Sequence, residues 1–133
     1  MRLFYDVNVL LDEYFEREGA AASEAAIRAA GIEGNDGWIA GHTLAQLFYI
    51  VRKRTSKADA WQYLRDLLEW VQIAPIANVE AINALDYGMT DFEDALQLSA
   101  AVACGADVII TRNTSDFTKN LLPVLTPEEF LAR

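Results

Sequence analysis

The sequence predicts an α/β fold, a three-layer α/β/α arrangement around a central, mostly parallel sheet. Short apolar or β-branched runs alternate with longer stretches of helical periodicity along the chain. One of these runs, Asp107-Val108-Ile109-Ile110-Thr111, is apolar without alternation, as in a strand buried on both faces. The chain has 133 residues, 53% of them hydrophobic, which is enough to fill a core without disulfides or a structural metal. No repeat, linker or low-complexity segment divides it, so a single domain over residues 1–133 is expected.

Arg2 to Tyr5 reads as a short buried strand that ends at Asp6, after which Val9, Leu10, Leu11, Tyr14 and Phe15 take up helical spacing. A second helix is predicted from about Ala21 to Ala30, stopped by Gly31. The turn-rich segment Glu33 to Gly37 leads into a second strand, Trp38-Ile39-Ala40. Leu44, Leu47, Phe48 and Val51 mark an amphipathic helix ending in Arg52-Lys53-Arg54, a placement of positive charge that the helix dipole favours. Another helix is predicted over Lys57 to Val71, then a strand over Ile73 to Ile76, then a helix from Asn78 to about Tyr87. The helix opening at Thr90-Asp91-Phe92-Glu93-Asp94 runs to Gly105 and feeds the Val108 strand. An edge strand at Val124-Leu125 and a short helix from Pro127 complete the chain.

Eleven Lys and Arg against twenty Asp and Glu give a formal charge of −9, which excludes broad electrostatic capture of nucleic acid and requires any such binding to be local. The one cysteine, Cys104, lies in an apolar stretch and has no partner, which fits a reducing cytoplasm and a core position. No apolar run approaches the roughly 20 residues of a membrane-spanning helix, and no signal-peptide core follows Met1. A cytoplasmic protein with no membrane partner is expected. The chain also lacks a P-loop, a dinucleotide-binding glycine pattern and any Cys/His zinc spacing.

Ligands of open parallel sheets bind beyond the carboxyl ends of the strands. Asp6 stands at one such end, and Arg112, Asn113 and Asp116 follow another. Asp91 and Asp94 are three residues apart, hence on one helix face, so these four carboxylates can converge. A concentration of acids is most easily explained by a bound cation or a basic partner. Thr90-x-x-Glu93 matches a capping box, and the favoured role for Glu93 is that cap. Asp94 lies deeper, before Ala95-Leu96, and gains less from capping, so a functional role is favoured there. Asp116 has two equal readings, turn residue or site residue. His42 and the three Trp are read as structural, and Asp12, Glu13 and Glu16 as the solvated face of the first helix.

At these residues the chain resembles the PIN domains, metal-dependent ribonucleases that include the VapC toxins. The resemblance is carried by Asp6-Val7-Asn8-Val9-Leu10-Leu11-Asp12, by Asp91-Phe92-Glu93-Asp94-Ala95-Leu96-Gln97, by Ala106 to Asn113, by Asp116-Phe117 and by the ending Val124 to Phe130. It spans nearly the whole chain. It implies a PIN-like fold, an Mg²⁺ or Mn²⁺ cofactor, and Asp6, Asp94 and Asp116 as catalytic metal ligands, Asn113 being the alternative to Asp116 from the same loop, with Asp91 joining through water and Asn8, Gln46 and Asn113 as supporting polar groups. The sequence departs from the family where many members place Glu at position 46 and Asp at position 113. Gln46 and Asn113 bring no charge, which lowers the expected metal affinity and leaves the number of metals open.

The activity so implied is metal-dependent hydrolysis of RNA by a toxin of a toxin–antitoxin pair, with an antitoxin as protein partner and a homodimer by analogy. Arg112 can contact a phosphate, and Arg52 and Lys53, with Arg54 and Lys57, can track the strand. Stabilisation of a helix end explains the latter cluster equally well. Two other readings stand beside this one. The first is a catalytically weak PIN-fold module that engages a protein, motivated by Gln46 and Asn113. The second is an aspartyl phosphotransferase, disfavoured because Asn8 stands where its second acid belongs and no Lys lies between Asp107 and Asp116.

Overall fold

The computed structural model describes residues 1–133. Five strands form one sheet in the order β3-β2-β1-β4-β5, with every pairing parallel. They are β1 (Arg2–Tyr5), β2 (Asp36–Ala40), β3 (Val71–Ala74), β4 (Val108–Ile110) and β5 (Val124–Leu125). Between them run α1 (Val7–Phe15), α2 (Ala20–Arg28), α3 (Gly41–Arg54), α4 (Lys57–Leu67), α5 (Asn78–Asp86) and α6 (Phe92–Ala103), and α7 (Pro127–Leu131) follows β5. The three-layer α/β/α expectation is met, and the sheet is parallel throughout.

Strand pleating divides the apolar side chains between two faces. Leu3, Tyr5, Ile39, Val71, Val108 and Ile110 pack on one side against residues of α1 to α4, among them Leu10, Leu47, Val51 and Tyr63. Phe4, Ala40, Ala74 and Ile109 pack on the other against Leu98, Ala100 and Ala101 of α6, with Phe117. All three residues of β4 are buried, which is why that strand lacks polar alternation. No helix is long and apolar enough to cross a membrane.

Several boundaries differ from the sequence expectation. Helix α4 stops at Leu67 rather than Val71, and β3 occupies Val71–Ala74 rather than Ile73 to Ile76. Val71 continues the helical spacing of Leu64 and Leu67, but it reaches the same core from a strand. Pro75, which has no backbone N–H to give a neighbouring strand, follows the last residue of β3. The second helix ends at Arg28, and a single 3₁₀ turn over Ala29–Gly31 replaces its predicted last residues.

Gly37, in β2, is set by packing. A Cβ there would lie 2.9 Å from Trp70 Cζ3 and 3.2 Å from Ala30 Cβ. Gly37→Ala is expected to destabilise the protein by about 1–3 kcal/mol, the usual cost of overfilling a packed interior. Chemical denaturation checks this, and a midpoint equal to wild type would show that Trp70 gives way freely.

Candidate active site

The chain runs from β1 outward to β2 and β3, then returns to the other side of β1 for β4 and β5. The strand order therefore reverses between β1 and β4, and a crevice opens at their carboxyl ends. Asp6 follows β1 at that point and caps α1, its Oδ1 accepting from Val7 N at 2.8 Å. The same oxygen accepts from Gln97 Nε2 of α6 at 2.7 Å. Oδ2 accepts from Thr111 Oγ1, just past β4, at 3.0 Å. Asp6 is only 7% exposed. Three donors from three elements thus fix its carboxylate.

Asp94 lies in the first turn of α6 and is half-buried. Burial first, and then the Asp91, Asp6, Asp116 and Glu93 carboxylates, push its carboxyl up to about 7. The other three acids expected to converge therefore each lie close enough to Asp94 to repel it. Asp91 is the N-cap of α6, its Oδ1 accepting from Asp94 N at 3.0 Å. Asp116 closes a 3₁₀ turn over Thr114–Asp116, and Asn113 Nδ2 donates to its Oδ2 at 2.8 Å. Asn113 thus holds the loop acid, while its backbone N–H reaches Thr111 Oγ1 at 3.2 Å.

Helix α3 lines the other side. Gln46 Nε2 donates to Glu93 Oε2 at 2.6 Å. His42, one turn earlier, has its basicity lowered by burial, against opposing pulls from Glu93 and Asp6, and neither ring nitrogen has a hydrogen-bond partner. Glu93 does not form the capping box expected with Thr90, because the helix starts one residue later than that pattern implies and Asp91 takes the cap. Its carboxylate is turned toward α3 instead.

Asn8 lies exposed on α1 beside a groove that it shares with Arg17, Tyr49, Lys53 and Arg54. Arg52 and Lys53 flank Tyr49 at the adjoining surface. Positive charge in this acidic chain is therefore concentrated next to the first turn of α1.

Arg112 is occupied elsewhere. Its Nε lies 3.3 Å from Asp12 Oδ2 and its Nη1 lies 3.2 Å from Glu128 Oε1 of α7. Asp12 is not on a solvated face: its side chain is 8% exposed, and Arg17 and Ser23 Oγ approach it at 3.7 and 3.3 Å. Gly19, at φ +85°, leaves room for this guanidinium, since a Cβ there would sit 2.6 Å from Arg112 Nη1.

Sequence reasoning did not single out Gln97 or Thr111, which hold Asp6. Gln97 carries a signal that was available: it is the one amide in the otherwise apolar run Ala95 to Leu98.

The donor set is hard oxygen, the kind preferred by Mg²⁺ or Mn²⁺ over zinc. No three His, Cys, Asp or Glu side chains are already drawn into a metal cage. Mg²⁺ does not require one, since it is usually held by one or two carboxylates and keeps several waters. Burial and the neighbouring carboxylates both disfavour the ionised form of Asp94, which a cation would offset. The residues present fit such a cation.

A parallel sheet with acids gathered at its point of strand reversal defines an α/β domain with a polar site at a topological switch. The chain belongs to the PIN-domain family, whose model matches residues 2–115; PIN domains are a family of nucleases. No curated protein matches the chain by sequence at a significant level. Among solved structures, it is similar to a chain of VapBC2 from Rickettsia felis bound to a DNA fragment from the promoter, with 17% identity and a TM-score of 0.75 over 93% of this chain and 97% of that one. A chain of VapBC-1 from nontypeable Haemophilus influenzae aligns with 14% identity and a TM-score of 0.76, covering 96% and 99%. A chain of a toxin–antitoxin complex from Klebsiella pneumoniae aligns with 24% identity and a TM-score of 0.72, covering 94% and 97%. At these identities the likeness establishes the shared fold.

Proposed function

We propose that the protein is a cytoplasmic Mg²⁺- or Mn²⁺-dependent endoribonuclease, acting as the toxin of a toxin–antitoxin pair. The observation that carries this reading is the gathering of Asp6, Asp91, Asp94 and Asp116 at the β1/β4 crevice, with Asp6 fixed by three donors. Asp6, Asp94 and Asp116 would hold the cation, and Asp91 would join through water. Such a cation supplies Lewis-acid polarisation of a phosphate and makes water a better nucleophile near neutral pH.

The protein's own residues do the rest. Gln97 and Thr111 keep Asp6 in one orientation, and Asn113 restrains Asp116. Lys53 and Arg54, in the groove beside Asn8, offer phosphate contacts near the first turn of α1, with Arg52 at the adjoining surface. An RNA chain meets local positive charge there despite the net −9.

An antitoxin as partner and a dimeric assembly are supported by the structural relatives, which are toxin–antitoxin complexes. The outward face of α5 leaves Val79, Ile82 and Leu85 exposed, which suits a second copy. An aspartyl phosphotransferase finds no support: the groups on Asp6 are an amide N–H, a glutamine and a threonine, with no lysine to neutralise a phospho-aspartate.

The test is cleavage of single-stranded RNA by the purified protein with Mn²⁺, with EDTA and as Asp6→Asn. Loss of one direct ligand is expected to cost at least about 100-fold, since even outer groups cost about 10–100-fold. Equal cleavage by wild type and variant would sink the assignment. Absence of both cleavage and Mn²⁺ binding would leave the protein-binding module as the reading, as the uncharged Gln46 and Asn113 suggest.

A further inference from the structure

The α3 side of the crevice carries no acid of its own, only His42 and Gln46. Gln46 nevertheless reaches across to α6 and grips a carboxylate, that of Glu93, at 2.6 Å. Glu93 is free for this because Asp91 caps the helix. Its charge adds to the repulsion on Asp94 and is felt by His42, so it faces the same space.

A second observation points to a ligand there. Gln97 is 2% exposed and directs its amide to Asp6, yet its Oε1 has no hydrogen-bond partner. Gln46 Oε1 is likewise buried and unpartnered. Two orphaned acceptors beside an acid cluster call for donors. The waters that a bound divalent cation retains would provide them.

We propose that Glu93, oriented by Gln46, supplies the α3-side carboxylate of the cation site, which makes Gln46 a positioning residue. The uncharged amide at position 46 then does not leave the site one acid short: the carboxylate has moved to the other end of the Gln46–Glu93 hydrogen bond. The inference rests on the cation reading proposed above and adds to it a residue that the cap pattern had hidden.

Calorimetric titration of the full chain with Mn²⁺ tests it, using wild type, Glu93→Gln, the exchange Gln46→Glu with Glu93→Gln, and Asp6→Asn. Glu93→Gln is expected to weaken Mn²⁺ binding about 10-fold or more. The exchange, which returns one acid and one amide to the same hydrogen bond with their places swapped, is expected to recover most of that loss. Thermal melts show that each variant is folded. Glu93→Gln binding as wild type does, while Asp6→Asn loses binding, would overturn the Glu93 role and leave the nuclease reading intact. A folded exchange variant no better than Glu93→Gln alone would overturn the claim that the two positions are interchangeable. Wild type with no Mn²⁺ binding would remove both.

Discussion

Replacing Asp94 with asparagine is expected to raise the melting temperature at pH 8 by about 3–6 °C and at the same time to abolish stabilisation by Mn²⁺. The folded protein holds the Asp94 proton up to about pH 7, against 3.8 for an ordinary aspartate, because of burial and the surrounding acids. Between those values the native state binds more protons than the unfolded chain, so stability falls as pH rises. It is greatest, for this group, below the unfolded value and is lost through pH 7. The full displacement would exceed 4 kcal/mol, but solvent at the half-open mouth screens it, and about 1–2 kcal/mol is the expected slope. Asparagine removes the charge and with it the slope. A cation held at the proposed site would reverse the penalty in wild type by binding the ionised form. Melts at pH 5 and pH 8, with and without Mn²⁺, measure all of this; a wild type equally stable at both pH values would refute it.

The second large effect lies away from the crevice. Arg112→Met is expected to cost about 2–4 kcal/mol, roughly 10 °C in melting temperature, because it strands the buried Asp12 carboxylate and frees Glu128. The lower end of the usual range for a broken buried pair applies, since Arg17 and Ser23 still reach Asp12. Adding Asp12→Asn to Arg112→Met should recover part of the loss, as expected for coupled neighbours. A single variant that melts within a degree of wild type would show that the clasp contributes nothing.

These two residues also show where sequence reasoning reaches and where it stops. Asp6 and Asp94 stood out in the sequence because an acid beside an apolar strand end or inside an apolar helix face is costly without a purpose, whereas Asp116, in a loop, was singled out only by the family resemblance. The buried strands β1 and β4 were legible for a related reason, their continuous apolar character. Asp12 was misread because its neighbours Glu13 and Glu16 form a polar face, while the arginine that neutralises it lies a hundred positions later and leaves no local mark. Glu93 was misread in the opposite way: a local pattern, Thr90-x-x-Glu93, offered a sufficient explanation that the tertiary contact with Gln46 overrides. The end of α4 failed by coincidence of spacing, since Val71 satisfies a helix and a strand equally. Patterns of period and capping report on a few residues at a time, and each miss involves a partner outside that window.

The hydrogen bond from Thr111 to Asp6 joins residues 105 positions apart, and that from Gln97 joins residues 91 apart. No growing chain can assemble the crevice until β4 has left the ribosome. At about 5–20 residues per second, synthesis separates Asp6 from Thr111 by roughly 5–20 s. Throughout that interval the incomplete chain has an aspartate but no site. Whatever the crevice binds, its first acid cannot be oriented until translation is nearly finished.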